Sequence, residues 1–170
     1  MELLLVKTFL ISVLLLEIPL EWSLNYQNQV RKVKLDKIHH VGIAVESIEE
    51  SLKFHTEVLG MKQVSDVVFD ELQNVKVVLL APNETSKEDC TLVELVESVG
   101  SSSVDQILKQ RNHLYHYCVE VKSLEESLAE ARKKHCIIVL KPTPAKLFNG
   151  RRIAFIWTPD QYLLEFLEKE

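Results

Sequence analysis

From residue 35 onward, short apolar runs rich in β-branched residues alternate with polar breaks: IHHVGIAV (38–45), VKVVLLA (75–81), TLVELVE (91–97), YHYCVEV (115–121), CIIVLK (136–141), RRIAFIW (151–157) and YLLEFLE (162–168). Their length and composition predict strands, and KQVSDVVF (62–69) predicts one more. Side chains alternate across a strand, so His40, Gly42 and Ala44 share one face of the first run and Val41, Ile43 and Val45 the other. Twice the apolar spacing takes a helical form, at Ile48, Leu52 and Phe54 followed by Val58, and at Leu124, Leu128 and Ala131. Both helices open on the S-x-x-E spacing of a capping box, Ser47 with Glu50 and Ser123 with Glu126, and Gly60 stops the first. A short helix is expected within SVGSSSVDQILKQRN (98–112), and TPDQ (158–161) reads as a tight turn.

The pattern repeats. A shift of 76 places lays HVGIAVESIEESL (40–52) over HYCVEVKSLEESL (116–128), and a shift of 71 lays LVELVE (92–97) over LLEFLE (163–168). Each unit is therefore β-α-β-β-β, and the expected class is α+β, with two such modules in one mixed sheet. The expected boundaries are module one at 36–97, a linker at 98–111 and module two at 112–169, within a domain of 35–169.

The repeat also pairs His40 with His116 and Glu94 with Glu165. A lone histidine at a strand start is usually an ordinary hydrogen-bonding residue, but recurrence with matched glutamates changes the reading. A carboxylate in the middle of an apolar strand has to be paired, metal-bound or solvated. Two imidazoles with two carboxylates form an N/O set suited to one divalent Zn, Ni, Co, Mn or Fe ion. Such a set leaves positions for two neighbouring substrate oxygens, acidifying the adjacent C–H, and a nearby glutamate can move the proton. His39, His55, His113 and His135 do not recur and read as surface or structural residues. The cysteines read as small buried hydrophobes. Arg151 and Arg152 are candidates for holding a substrate carboxylate or phosphate, with a solvated pair as an equally good reading.

Composition narrows the partners. The 170-residue chain carries a net charge of −5, which lacks the basic surplus that nucleic acid or an anionic membrane surface requires and favours a small-molecule partner. Three cysteines without a C-x-x-C pair argue for a reducing compartment, so a cytoplasmic protein is expected. The apolar stretches LLLV and FLISVLLL near the start are bracketed by Lys7 and Glu17, too short for a span of about 20 residues and without a small-x-small cleavage site. Residues 1–34 are read as an extension, either an amphipathic helix on the domain or residues from an over-extended start, with a signal peptide or anchor at 1–20 as the less favoured alternative.

Paired β-α-β-β-β modules, each with His on its first strand and Glu on its last, resemble the vicinal oxygen chelate superfamily over about 36–169. That group includes methylmalonyl-CoA epimerases, glyoxalase I, extradiol dioxygenases and the bleomycin and fosfomycin resistance proteins. The resemblance implies a curled sheet around a metal site, with His40, Glu94, His116 and Glu165 as ligands and Glu165 or Glu71 as proton shuttle. It also implies a homodimer acting on an acyl-CoA or a thiol adduct. DKIHHVGIAV, the linker and YHYCVEV look most like the epimerases, whereas TPDQYLLEF sits closer to the glyoxalases. Epimerases commonly carry Pro-Glu-x-Gly-Val before the third strand. Here the segment reads Glu71-Leu72-Gln73-Asn74-Val75, with Leu72 in the place of the base. The glycine-rich segment before the penultimate strand is reduced to FNGRR. The expected activity is epimerisation of a 2-substituted acyl-CoA; the alternatives are a glyoxalase I type lyase and a non-catalytic small-molecule binder.

Overall fold

The computed structural model describes Val33 and residues 35–82 and 90–170; the extension expected at 1–34, with its apolar stretches, lies outside these apart from Val33. Among the described residues no helix is long and apolar enough to cross a membrane. The first module contains β1 (Leu35–Val45), α1 (Ile48–Lys53), β2 (Lys62–Gln63), β3 (Val68–Asp70), β4 (Val75–Ala81) and β5 (Leu92–Ser98). After the linker helix α2 (Ser103–Lys109) come β6 (Leu114–Val121), α3 (Leu124–Lys133), β7 (Ile137–Pro144), β8 (Arg152–Trp157) and β9 (Leu163–Glu168).

All the described strands join one mixed sheet in the order β2-β4-β5-β1-β6-β9-β8-β7, with β3 also on β4. The opening strand of each module runs parallel to its own closing strand, β1 to β5 and β6 to β9, and β1 and β6 meet antiparallel at the centre. The modules are thus related by an approximate twofold between β1 and β6.

Alternation sorts the side chains into three layers. Ile48 and Leu52 of α1 pack on Val45, Val78, Leu80 and Leu95, while Leu124, Leu128 and Ala131 of α3 pack on Val119, Val121, Ile156 and Phe166. The opposite face carries the largest cluster, in which Val75, Val77 and Leu79 of module one join Phe148, Ile153 and Phe155 of module two. Residues from both outer ends of the sheet meet there, so the sheet curls around its helix-free face. A short 3-10 turn, Lys146–Phe148, reaches across, and Lys146 Nζ lies 2.9 Å from the Glu71 carboxylate on the turn before β4.

The repeat extends to how the helices dock. Glu97, closing β5, accepts a hydrogen bond from the Ile48 amide at 2.7 Å; Glu168, closing β9, accepts one from the Leu124 amide at 3.3 Å. Each satisfies a free amide at a helix start, where negative charge is also favoured. Ser47 and Ser123 accept from the Glu50 and Glu126 amides, but neither glutamate reaches back to its cap amide, and Glu50 pairs with Lys53 instead, so each module shows half of its expected box. The complete reciprocal box lies in α2, between Ser102 and Asp105.

Two elements differ from expectation. The first helix widens into a π turn over Phe54–Val58 before Gly60, at φ +66°, ends it. The wider turn rotates later positions off the core face, so Phe54 and Val58 are exposed rather than packed. The strand expected at 62–69 is broken into β2 and β3.

Candidate metal centre

Register places the four repeated residues. Glu94, Gly42 and His116 are successive partners across β5, β1 and β6; His40, Cys118 and Glu165 are successive partners across β1, β6 and β9. Two neighbouring rungs on the curled face each hold a glutamate and a histidine with a small residue between them. Gly42 and Cys118 are equivalent in the repeat, two places after each histidine. The small residue is required in module one: a Cβ on Gly42 would lie 2.3 Å from Cε1 of His116. The His116 ring occupies the space a side chain would fill.

All four side chains are buried, with His40 fully enclosed. Glu165 Oε2 lies 2.9 Å from His40 Nε2 and 3.2 Å from His116 Nε2, and the two ring nitrogens are 3.0 Å apart. Glu94 Oε2 lies 3.5 and 3.3 Å from the same nitrogens. Donors about 2.1 Å from a common ion stand roughly 3.0 to 3.4 Å apart, so these separations fit one first-row divalent cation. Glu165 Oε2 has no aligned hydrogen-bond partner despite these short distances. A buried carboxylate oxygen that neighbours two imidazoles without bonding either is oriented as a ligand is, so the residues fit the ion that the sequence implies. His39, His40 and Cys118 form a second group of ligand types, but it shares His40 with the first.

The charges interlock. Burial alone would push the His116 imidazolium down, but Glu165 and Glu94 outweigh it and raise its pKa to about 9. Burial would raise Glu165, yet His40 and His116 hold it well below the ordinary carboxylate range. Burial, aided by Glu165, pushes the Cys118 thiol far up, and burial with His40 lowers His39 to about 4.

Cavities adjoin these four side chains and their neighbours among the described residues. A small one of about 30 Å³, room for a water or two, is lined by Glu94, His116, Glu165, Asp70, Tyr115 and Phe148 among others. His116, Tyr115 and Phe155 also wall a groove of about 730 Å³, within the usual size of a small-molecule site, bounded by Leu114, Trp157 and Tyr162. On the far side of Phe148, which stacks on His40 at 5.6 Å, a third space of about 700 Å³ holds His39, Lys37, Glu120 and Arg151.

Not every expected site residue joins this centre. Glu71 is exposed and paired with Lys146 outside the cup, because the β3–β4 turn points Asp70 inward and Glu71 outward. Arg151 donates to Glu120 at 2.7 Å and to the Glu168 carbonyl. Arg152 clamps Glu125 and Glu168, tying α3 to β9. Both guanidinium groups are therefore committed within the chain rather than presented to a substrate anion. His39, expected as a surface or structural residue, has its Nδ1 2.9 Å from His40 Nδ1. Nothing periodic marked it, since its repeat counterpart is Tyr115.

The chain belongs to the Glyoxalase/Bleomycin resistance protein/Dioxygenase superfamily, whose family model matches residues 39–155. Among its relatives, mitochondrial methylmalonyl-CoA epimerase of Mus musculus is 32% identical over 59% of this chain and 54% of the relative. Lactoylglutathione lyase of Schizosaccharomyces pombe is 27% identical over 78% of this chain and 47% of the relative. The chain thus spans about half the length of these two curated relatives. A variant of Streptomyces coelicolor methylmalonyl-CoA epimerase, solved with 2-nitronate-propionyl-CoA, superposes with a TM-score of 0.68 at 22% identity, covering 80% of this chain and 96% of that one. That last likeness establishes the fold alone.

Proposed function

We propose that this chain is a divalent-metal-dependent enzyme that abstracts a proton next to a carbonyl, and that it epimerises a 2-substituted acyl-CoA such as methylmalonyl-CoA. The observation that carries this reading is the convergence of two imidazole nitrogens and two carboxylate oxygens of one chain, 2.9–3.5 Å apart, at the base of a cup. His40, His116, Glu94 and Glu165 would hold the ion, and a divalent cation there would polarise a carbonyl and acidify the neighbouring C–H. Glu165, whose Oε2 lies beside both imidazole nitrogens, would accept the proton. Epimerisation needs a second group on the other face of the carbon. Asp70, the one further carboxylate lining the small cavity among the described residues, would take the part first expected of Glu71 on release of the hydrogen bonds it accepts from the Leu72 and Gln73 amides and from Gln73 Nε2. Phe148, Phe155 and Val77 line the small cavity and would shield a carbon bound there from bulk water, and the adjoining groove of about 730 Å³ would take the thioester arm. All four ligands come from one chain, so the expected homodimer is not needed to complete the site.

A glyoxalase I type isomerisation of a thiol hemithioacetal is the second reading. It is favoured by one observation: Glu71 stands outside the cup while Glu94 and Glu165 both flank the imidazoles, so the ligand carboxylates are the nearest proton acceptors. Metal analysis of the purified protein comes first. Stoichiometric divalent metal, lost in His40→Ala and His116→Ala, is expected; absence of metal together with unchanged ligand binding by those variants would leave a non-catalytic binder. Deuterium uptake from heavy water at the 2-position of methylmalonyl-CoA, set against turnover of methylglyoxal with a thiol, then separates the two chemistries.

A further inference from the structure

We infer that His39 is a positioning residue that fixes which ring nitrogen of His40 carries the proton; the inference rests on the four-ligand reading above. His40 is fully buried, and its nitrogens face different neighbours. Nε2 meets Glu165, His116 and Glu94 at 2.9, 3.0 and 3.5 Å. Nδ1 meets His39 Nδ1 at 2.9 Å. An imidazole that offers the Nε2 lone pair to a metal keeps its proton on Nδ1, and that N–H requires an acceptor. His39 Nδ1 is the acceptor within reach, which makes His39 the Nε2–H tautomer.

The second module supplies an internal control. Tyr115 occupies the position equivalent to His39, immediately before the other histidine, but its hydroxyl bonds Ser103 at 2.7 Å. His116 Nδ1 accordingly has no hydrogen-bond partner. Its ring is held by packing instead, edge to face with Tyr115 at 5.0 Å and Phe155 at 5.2 Å and close over Gly42. His40 is the hydrogen-bonded member of the ligand pair, and His39 is what makes it so. His39 is itself fixed edge-on to Phe148 at 5.4 Å, so its Nδ1 is aimed rather than free to swing.

The test compares His39→Phe, which keeps a ring against Phe148 but offers no acceptor, with His39→Asn, whose amide oxygen replaces Nδ1. In the metal-free full-length protein, nitrogen-15 spectra of the histidine rings should show His40 as the Nδ1–H tautomer in wild type and His39→Asn, and a mixture of tautomers in His39→Phe. Zinc affinity, measured by chelator competition, should fall about 10- to 100-fold in His39→Phe and stay close to wild type in His39→Asn. A wild-type His40 in the Nε2–H form would overturn the inference. So would equal zinc affinity in His39→Phe and wild type, or equal weakening by both variants, since ring packing alone would then be at work. If the wild-type protein binds no zinc, the proposed function fails, and the tautomer measurement alone decides the role of His39.

Discussion

His40 and His116 stand 76 places apart in equivalent strands, yet the two modules secure them by different means. In module one a hydrogen bond to His39 backs the ring; in module two three packing neighbours surround a ring whose Nδ1 has no partner. The helices behind the strands differ in the same direction. Module two has ten residues of α3 burying Leu124, Ser127, Leu128 and Ala131, while module one has six residues of α1 burying only Ile48 before the π turn. A repeat therefore preserves what the site needs, the ligand on each rung and the carboxylate that docks each helix, and lets the means of support drift. Module two therefore has the better packed helix.

The largest expected effect tests whether the halves are equal where the repeat says so. His40→Ala and His116→Ala should each abolish stoichiometric metal binding, read by elemental analysis; retention by one alone would mean that the modules do not share a single ion. Next comes the inequality of the helices. Leu128→Ala removes a buried side chain of α3 and should cost about 2–5 kcal/mol in urea unfolding. Leu52→Ala, half-buried on α1, should cost clearly less, and the opposite order would reverse the ranking of the helices. Gly42→Ala should cost about 1–3 kcal/mol and displace the His116 ring, with metal affinity falling as well. Cys118→Ala, at the equivalent position, adds no atoms and should leave affinity near wild type.

The smallest effect is one of pH. Burial would raise the Glu120 carboxyl, but Arg151 and Lys37 outweigh it, with His39 also facing it, so its pKa lies below the ordinary value. A depressed carboxylate stabilises the fold fully above its unfolded pKa, and that contribution is lost as pH falls through the folded value. Thermal midpoints of wild type and Glu120→Gln should therefore differ by a constant amount near neutrality and converge in acid below about pH 4.5. Ala44 is the module-one counterpart of Glu120, so no matching titration is expected from that half.

Strand and helix order, the repeat and the recurrence of two histidines and two glutamates were all readable because each leaves a periodic trace. Alternation assigned His40, Gly42 and Ala44 to one face and Ile43 and Val45 to the other, and both sets pack accordingly. What could not be read lacked a period. The π turn depends on one wider hydrogen-bonded loop, which no apolar spacing announces. Whether Asp70 or Glu71 faces the cup is a matter of one residue of register in a turn, and Arg151 and Arg152 could not be assigned until their acidic partners were placed beside them.

By itself the sequence determined the module, its duplication and the four residue types that recur, because hydrophobic periodicity and paired positions are properties of one dimension. Only the tertiary structure decided that both modules of a single chain meet along β1 and β6, which puts one glutamate and one histidine on each of two adjacent rungs. It also decided that His39 lies behind His40 while Tyr115 turns to Ser103. Convergence of donor atoms arises from the register between strands distant in the chain. That register follows from the burial of whole faces, which no local stretch of sequence contains.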